Sequence, residues 1–178
     1  MIELILGGAR SGKSRYAESR AAASEQAVVY LATARAGDDE MAQRIARHRQ
    51  RREAHWVTVE EPIALAQALS QHCAPQRCVL VDCLTLWLSN VLFDRDGGID
   101  EARFQRERAA LLDCLPRLPG RLLLVSNEIG MGVVPMGAAT RRFVDEAGWL
   151  HQDLAALSRR VVWVVAGLPQ VLKGGEGD

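Results

Sequence analysis

Gly7-Gly8-Ala9-Arg10-Ser11-Gly12-Lys13-Ser14 follows an apolar run, Ile2 to Leu6, and leads into a helix-compatible segment from Ser14 to Ala23. The pattern G-x-x-x-x-G-K-[ST] has a mechanical meaning: glycines let backbone N–H groups turn inward around phosphate oxygens, and the following helix aims its positive end at them. Lys13 is expected to reach the β- and γ-phosphates of a nucleotide, and the Ser14 hydroxyl to ligate a magnesium ion. A glycine-rich strand-to-helix turn could match the pattern by accident, but the strand before it and the helix after it supply the context that a phosphate cradle needs.

The rest of the chain bounds what such a cradle serves. With 178 residues, 48% hydrophobic and 25% charged, the sequence has the size of one domain, expected over 1–172 with a flexible tail at 173–178. Lysine plus arginine equals aspartate plus glutamate at 22 each, so no global field suggests nucleic acid, and any anion site must be local. No apolar run approaches the ~20 residues needed to span a bilayer, and too little chain precedes Gly7 for a signal peptide; a cytoplasmic protein is expected. Cys73, Cys78, Cys83 and Cys114 lack paired metal-ligand spacing and read as ordinary thiols.

Working outward, Val28 to Thr33 is a second buried-strand pattern one helix length after the first, so the chain opens with a strand-helix-strand unit. Ligands of open parallel sheets sit beyond the carboxyl ends of the strands, which brings Ala32, Thr33 and Ala34 beside the cradle's crevice. Thr33 could equally be a strand-end residue that satisfies backbone. Cys78 to Asp82 is an apolar strand ending in a carboxylate, the arrangement a P-loop enzyme uses to position magnesium opposite its hydroxyl ligand; the competing role for Asp82 is capping the helix expected from Leu84 to Phe93. An α/β fold follows from this alternation.

Between them, Asp38 to Arg52 has helical spacing, with Met41, Ile45, His48 and Arg52 recurring among Arg44, Arg47, Arg49 and Arg51. On spacing alone, a solvated basic helix with an incidental histidine is the simpler reading. The alternative is chemical: a cationic surround disfavours imidazolium, leaving a neutral, nucleophilic ring among groups that gather phosphates. His55 reads as structural. Trp56 to Val59 suggests a short strand, and Glu60-Glu61-Pro62 opens a helix carrying Ile63, Leu65, Ala66 and Leu69; acidic residues there usually complement the dipole, though Glu60 could hydrogen-bond a base or ribose.

Later elements follow the same alternation. Asp94 to Gly98 is a polar loop, and Asp100 caps a helix whose Phe104, Leu111 and Leu115 share a face. Arg121 to Ser126 is a buried strand that delivers Asn127-Glu128-Ile129-Gly130-Met131-Gly132 to the crevice, where a plain turn is the simplest account. Phe143, Ala147, Leu150, Leu154 and Leu157 mark a long amphipathic helix, and Val161 to Ala166 is expected as a last strand, stopped by Gly167 and Pro169.

These residues together resemble the bifunctional adenosylcobinamide kinase and adenosylcobinamide-phosphate guanylyltransferase family of cobalamin biosynthesis. The resemblance rests on Gly7 to Ser14, Tyr30 to Thr33, Asp39-Glu40-Met41 with Arg44-Ile45 and His48, the Trp56 to Glu61 segment, and Asn127 to Pro135. It implies a P-loop NTPase of the RecA-like kind, a mostly parallel sheet flanked by helices. It also implies phosphorylation of adenosylcobinamide by ATP or GTP, then transfer of GMP from GTP to adenosylcobinamide phosphate, with magnesium present. In this resemblance His48 is the nucleophile that carries the guanylyl group and Lys13 is catalytic. Nucleotide contacts would fall on Gly7, Gly8, Ala9, Arg10, Ser11, Gly12, Lys13, Ser14, Ala32, Thr33, Ala34, Arg49, Gln50, Arg51, Arg52, Glu60 and Asp82, with Ser14 and Asp82 toward the metal. A homo-oligomer is implied as well, a trimer being one arrangement, in which the helix near Leu150 packs between subunits.

Two other functions compete. A P-loop small-molecule kinase would use the basic helix only to hold phosphate and would form no covalent nucleotide adduct. A nucleotide-dependent switch would lack transferase chemistry altogether, and the Asn-Lys-x-Asp guanine signature of small GTPases is absent from the sequence.

Overall fold

The computed structural model of the protein describes residues 1–34 and 55–175. Among them, strands β1 (Ile2–Gly7), β2 (Ala27–Ala32), β3 (Val57–Glu60), β4 (Arg77–Asp82), β5 (Arg121–Asn127), β6 (Arg160–Val165) and β7 (Leu168–Lys173) form one sheet in the order β3-β2-β4-β5-β1-β6-β7. Neighbours run parallel from β3 through β6, and β7 alone is antiparallel, on β6. Helices α1 (Lys13–Ala22), α2 (Leu65–His72), α3 (Leu84–Leu92), α4 (Glu101–Cys114) and α5 (Ala138–Leu157) flank it.

Strand period explains the two-sided core. Successive side chains alternate faces, so Leu4, Leu31, Val81 and Leu124 pack with α2 to α5 on one side, while Ile5, Tyr30, Leu80 and Val125 meet Ala17 and Ala21 of α1 on the other. The inner strands are therefore apolar nearly throughout, as strands buried on both faces must be. Each fully buried leucine here is worth about 1.5–3 kcal/mol of removed apolar surface.

Capping sets several helix starts. The Asp100 carboxylate accepts from Arg103 N–H at 3.0 Å, as its position ahead of an amphipathic run suggests, a cap worth about 1 kcal/mol. Glu61 Oε1 accepts from the N–H groups of Ile63 and Ala64, both at 2.8 Å, so α2 begins only at Leu65. From α3, the buried Trp87 indole donates to Ile63 O at 2.9 Å and ties that entry loop to the core.

One expectation fails at the end of the chain. The strand expected to be the last turns at Ala166 and Gly167, both at positive φ (51° and 80°), and returns as β7 with Pro169 opposite Val164. Positive φ at both turn positions is what a type I′ two-residue hairpin requires, and an edge strand tolerates a proline that can donate no ladder bond. Nor does order stop at Leu172. Lys173 lies in β7 with its ammonium on the carbonyls of Ala155 and Ala156, and Gly175 O accepts from Arg160 at 2.6 Å.

A buried ion cluster lies within β1 and its neighbours. Glu3 is fully buried, with Arg20 Nη2 at 3.1 Å, Arg121 Nη2 at 3.4 Å and Arg160 Nε at 3.5 Å. Three cations around one carboxylate join β1, α1, β5 and β6 by charge where apolar packing alone would otherwise act.

Candidate nucleotide and group-transfer site

The loop from Gly7 to Ser14 is shaped by contacts that allow no side chain at two of its glycines. A Cβ on Gly7 would stand 2.5 Å from Ser11 Oγ and 2.6 Å from Val164 O. Gly12 has φ 96°, and a Cβ there would meet the backbone Cα of Gly167 at 3.0 Å. Arg10 also adopts positive φ, 57°, a conformation that costs a non-glycine residue energy and marks the tight curl of the loop. Backbone bonds close the curl: Ser11 N–H donates to Gly8 O at 3.2 Å, and Gly167 N–H donates to Ser11 O at 2.8 Å. The hairpin turn that the sequence conceals thus buttresses the loop from outside.

Lys13, 6% exposed, folds back so that its ammonium donates to Gly8 O at 3.1 Å. An ammonium folded back onto a glycine-rich loop that opens a helix is an anion-binding arrangement. Ser14 is half-buried in the first turn of α1.

Parallel pairing aligns the other residues along the same edge. Ala32 pairs with Glu60 on one side and Asp82 on the other, and Gly7 pairs with Asn127. Since β5 lies between β1 and β4, its last residues stand between the loop and Asp82. Asp82 caps no helix: α3 starts without a side-chain cap, and Asp82 Oδ2 accepts from the buried Tyr30 hydroxyl at 2.8 Å. That bond fixes the carboxylate at the strand end, and the peptide following it, Asp82–Cys83, is cis.

Thr33 is wholly buried, and its hydroxyl both donates to Cys83 O at 2.7 Å and accepts from Cys83 N–H at 3.0 Å. Its carbonyl accepts from Asn90 Nδ2 at 2.8 Å. The strand-end role is the one its side chain performs here, bracing the backbone directly after Asp82. Ala34 is half-buried and Glu60 exposed at the same edge. Burial and the neighbouring Asp82 charge push the Cys83 thiol up to about 11. His48, Arg49, Gln50, Arg51 and Arg52, with the helix expected around them, lie outside the described residues.

A buried polar chain beyond β5 was not legible in the sequence. Asn127 N–H donates to Thr85 Oγ1 at 2.7 Å, Thr85 and Ser126 hydroxyls meet at 3.1 Å, and Ser126 Oγ lies 2.8 Å from His151 Nε2. His151 Nδ1 is 3.7 Å from Glu128 Oε2. Burial lowers the affinity of His151 for a second proton, with the Glu128 charge acting in the other direction. Glu128 itself donates its N–H to Gly7 O at 3.0 Å and accepts from Gly130 N–H at 2.6 Å. Only an amphipathic-helix position for a histidine hinted at this, and helical periodicity treats it as core.

The donor set suits magnesium. A hydroxyl at the start of α1 and a strand-end carboxylate are hard oxygen ligands, and magnesium commonly takes one or two from the protein and the rest from phosphates and water. Among the described residues no three His, Cys, Asp or Glu side chains gather into a metal-holding group. No helix among them is long and apolar enough to cross a membrane.

A strand-loop-helix cradle closed by glycines, with a carboxylate at a strand end and one strand inserted between them, defines a P-loop nucleotide-binding fold. Residues 3–172 match the model of the family described as cobinamide kinase / cobinamide phosphate guanyltransferase. The chain belongs to that family. It is 61% identical over 174 residues to the bifunctional adenosylcobalamin biosynthesis protein CobP of Pseudomonas aeruginosa, covering 98% of each chain. To the proteins called CobU in Escherichia coli and Salmonella typhimurium it is 41% and 40% identical, covering 97% of this chain and all of each relative. Among solved structures, the P4 protein from bacteriophage phi13 aligns with 94% of this chain and 52% of its own at a TM-score of 0.43 and 17% identity.

Proposed function

We propose that the protein phosphorylates the hydroxyl of adenosylcobinamide with ATP or GTP and then transfers GMP from GTP to the new phosphate, giving adenosylcobinamide-GDP and pyrophosphate. The observation that carries this reading is the family match across residues 3–172, together with a loop whose Gly7 and Gly12 leave no room for a side chain and whose Lys13 folds back onto Gly8 O. In the first reaction the hydroxyl oxygen attacks the γ-phosphorus, the bond to the bridging oxygen breaks, and a nucleoside diphosphate leaves. Gly7 to Ser14 hold the phosphates, and Lys13 neutralises charge that builds on the transferring group. Ser14 and Asp82 would hold a magnesium ion, which would supply further charge neutralisation.

In the second reaction an imidazole nitrogen of His48 attacks the α-phosphorus of GTP, the α–β bridge breaks, and pyrophosphate leaves. The substrate phosphate then attacks the same phosphorus, and the phosphorus–nitrogen bond breaks. Arg49, Gln50, Arg51 and Arg52 gather the phosphates beside His48, while Ala32, Ala34 and Glu60 contact the nucleotide at the strand edge. Thr33 acts there through the backbone it braces. Splitting the transfer into two displacements accounts for a kinase-like cradle paired with a separate nucleophile.

We also infer a cytoplasmic homo-oligomer of one domain. Leu150 is buried within its own chain, so α5 can offer a neighbour only its outward residues, among them the half-exposed Trp149; light scattering giving a monomer mass would refute the oligomer. The activity is tested by incubating the protein with magnesium, adenosylcobinamide and ATP, then adding GTP, and weighing the corrinoid by mass spectrometry. Successive gains of one phosphate and one GMP are expected. A phosphate gain alone would reduce the protein to a small-molecule kinase, and no gain would refute the proposal.

A further inference from the structure

We propose that Glu128 accepts the proton of the attacking hydroxyl in the phosphoryl-transfer step, and that His151 is the positioning residue that holds its carboxylate. The inference rests on the kinase reading above. Its starting point is location: Glu128 N–H sits on Gly7 O at 3.0 Å, and the Lys13 ammonium sits on the next carbonyl, Gly8 O, at 3.1 Å. The carboxylate therefore springs from the step of backbone adjoining the one over which the phosphate-binding cation lies. It projects from the end of the strand placed between the loop and Asp82, and its side chain is 25% exposed, open to a substrate yet partly shielded from water.

A chain of buried polar contacts stands behind it. Asn127 N–H donates to Thr85 Oγ1 at 2.7 Å, the Thr85 and Ser126 hydroxyls meet at 3.1 Å with either able to donate, and Ser126 Oγ lies 2.8 Å from His151 Nε2. With Ser126 donating to Nε2, the proton of a neutral imidazole lies on Nδ1, facing Glu128 Oε2 at 3.7 Å. A neutral N–H directed at a carboxylate orients it without cancelling its charge, which keeps it able to take a proton. The other oxygen, Oε1, is held by Gly130 N–H at 2.6 Å.

In the step itself the substrate oxygen forms its bond to the γ-phosphorus as its proton passes to Glu128 Oε2. The nucleoside diphosphate leaves with the electron pair of the broken bridge, and Glu128 later returns the proton to water. Ser126, although within hydrogen-bond reach of a histidine, is 1% exposed and cannot meet a substrate as a nucleophile.

Glu128→Gln separates this from a loop-bracing role, because the amide oxygen can still accept from Gly130 N–H while no proton can be taken up. Expected is a fall in kcat for cobinamide phosphorylation of about 100-fold or more, with KM for the nucleotide and the thermal midpoint unchanged. His151→Gln should lower kcat by about 10-fold, again without change in KM, and Glu128→Asp should recover part of the lost rate. Both Gln variants should still form the nucleotidyl enzyme from GTP. A Glu128→Gln variant that keeps a third or more of the wild-type kcat would overturn the proposal, as would parallel losses of kcat, nucleotide affinity and thermal midpoint. Failure of the wild type to phosphorylate cobinamide would instead remove the kinase reading and the proton acceptor with it.

Discussion

Replacing Thr33 with valine keeps the side chain's shape and removes both of its bonds to Cys83. The Cys83 N–H, now 3.0 Å from the threonine oxygen, would be left without that partner in a site from which water is excluded. Stranding such a donor costs about 1–3 kcal/mol, and losing the 2.7 Å bond to Cys83 O costs about 0.5–1.5 kcal/mol more. A total of about 2–4 kcal/mol, in a domain of this size, lowers the melting temperature by about 10 °C. Thr33→Ser, which retains the hydroxyl, should recover most of that. Because the Thr33 side chain is fully buried, the affinity for a non-hydrolysable nucleotide, measured well below the melting point, should stay within about threefold of wild type, a change under 1 kcal/mol. Thermal denaturation followed by circular dichroism and a fluorescent-nucleotide titration decide the matter. A Thr33→Val protein that melts like wild type yet binds nucleotide about tenfold more weakly, a loss of about 1.4 kcal/mol, would refute the bracing role and make Thr33 a direct ligand contact.

Other consequences follow from the same geometry. Gly12→Ala forces a side chain into φ 96° and against Gly167 Cα at 3.0 Å; strain of about 1–2 kcal/mol should accompany a loss of nucleotide affinity, read by the same titration. Glu3→Gln leaves three guanidinium groups around a neutral amide, and breaking a buried pair of this kind costs about 3–5 kcal/mol, so urea unfolding should show a much lower midpoint. The Cys83 thiol, pushed up to about 11 from 9.0, holds its proton more tightly in the folded protein than in the unfolded chain. Its contribution is therefore complete below about pH 9 and is lost between there and about pH 11, at up to about 1.4 kcal/mol per pH unit, and a Cys83→Ala variant should show a shallower alkaline decline.

How far the sequence discloses this arrangement depends on how local the physics is. The Gly7 to Ser14 loop is legible because its glycines answer backbone requirements set within a few residues, and Asp82 because it ends an apolar run. Asp100 is legible as a cap for the same reason. The Ala166-Gly167 turn is not: only its second residue is one that favours positive φ, and Pro169 reads as a stop unless the strand is known to lie at an edge. That turn matters, since Gly167 both bonds to Ser11 and limits what can stand at Gly12. The Glu128, His151 and Ser126 chain joins residues 25 positions apart through the packing of α5 on the sheet, which no local pattern encodes. Thr33 shows the intermediate case, where sequence places the residue at the crevice and only the fold decides which way its hydroxyl turns.

Whether a guanylyl group rides on the protein between two displacements is read out with GTP labelled in the α-phosphate and magnesium. A guanylyl-histidine predicts label on the wild-type chain that is stable to base and released by acid, as a phosphorus–nitrogen bond requires. It predicts none on His48→Ala, whose phosphorylation of adenosylcobinamide should persist. An active, GTP-binding wild type that acquires no label, or a His48→Ala protein that acquires it fully, would refute a guanylyl-histidine at position 48.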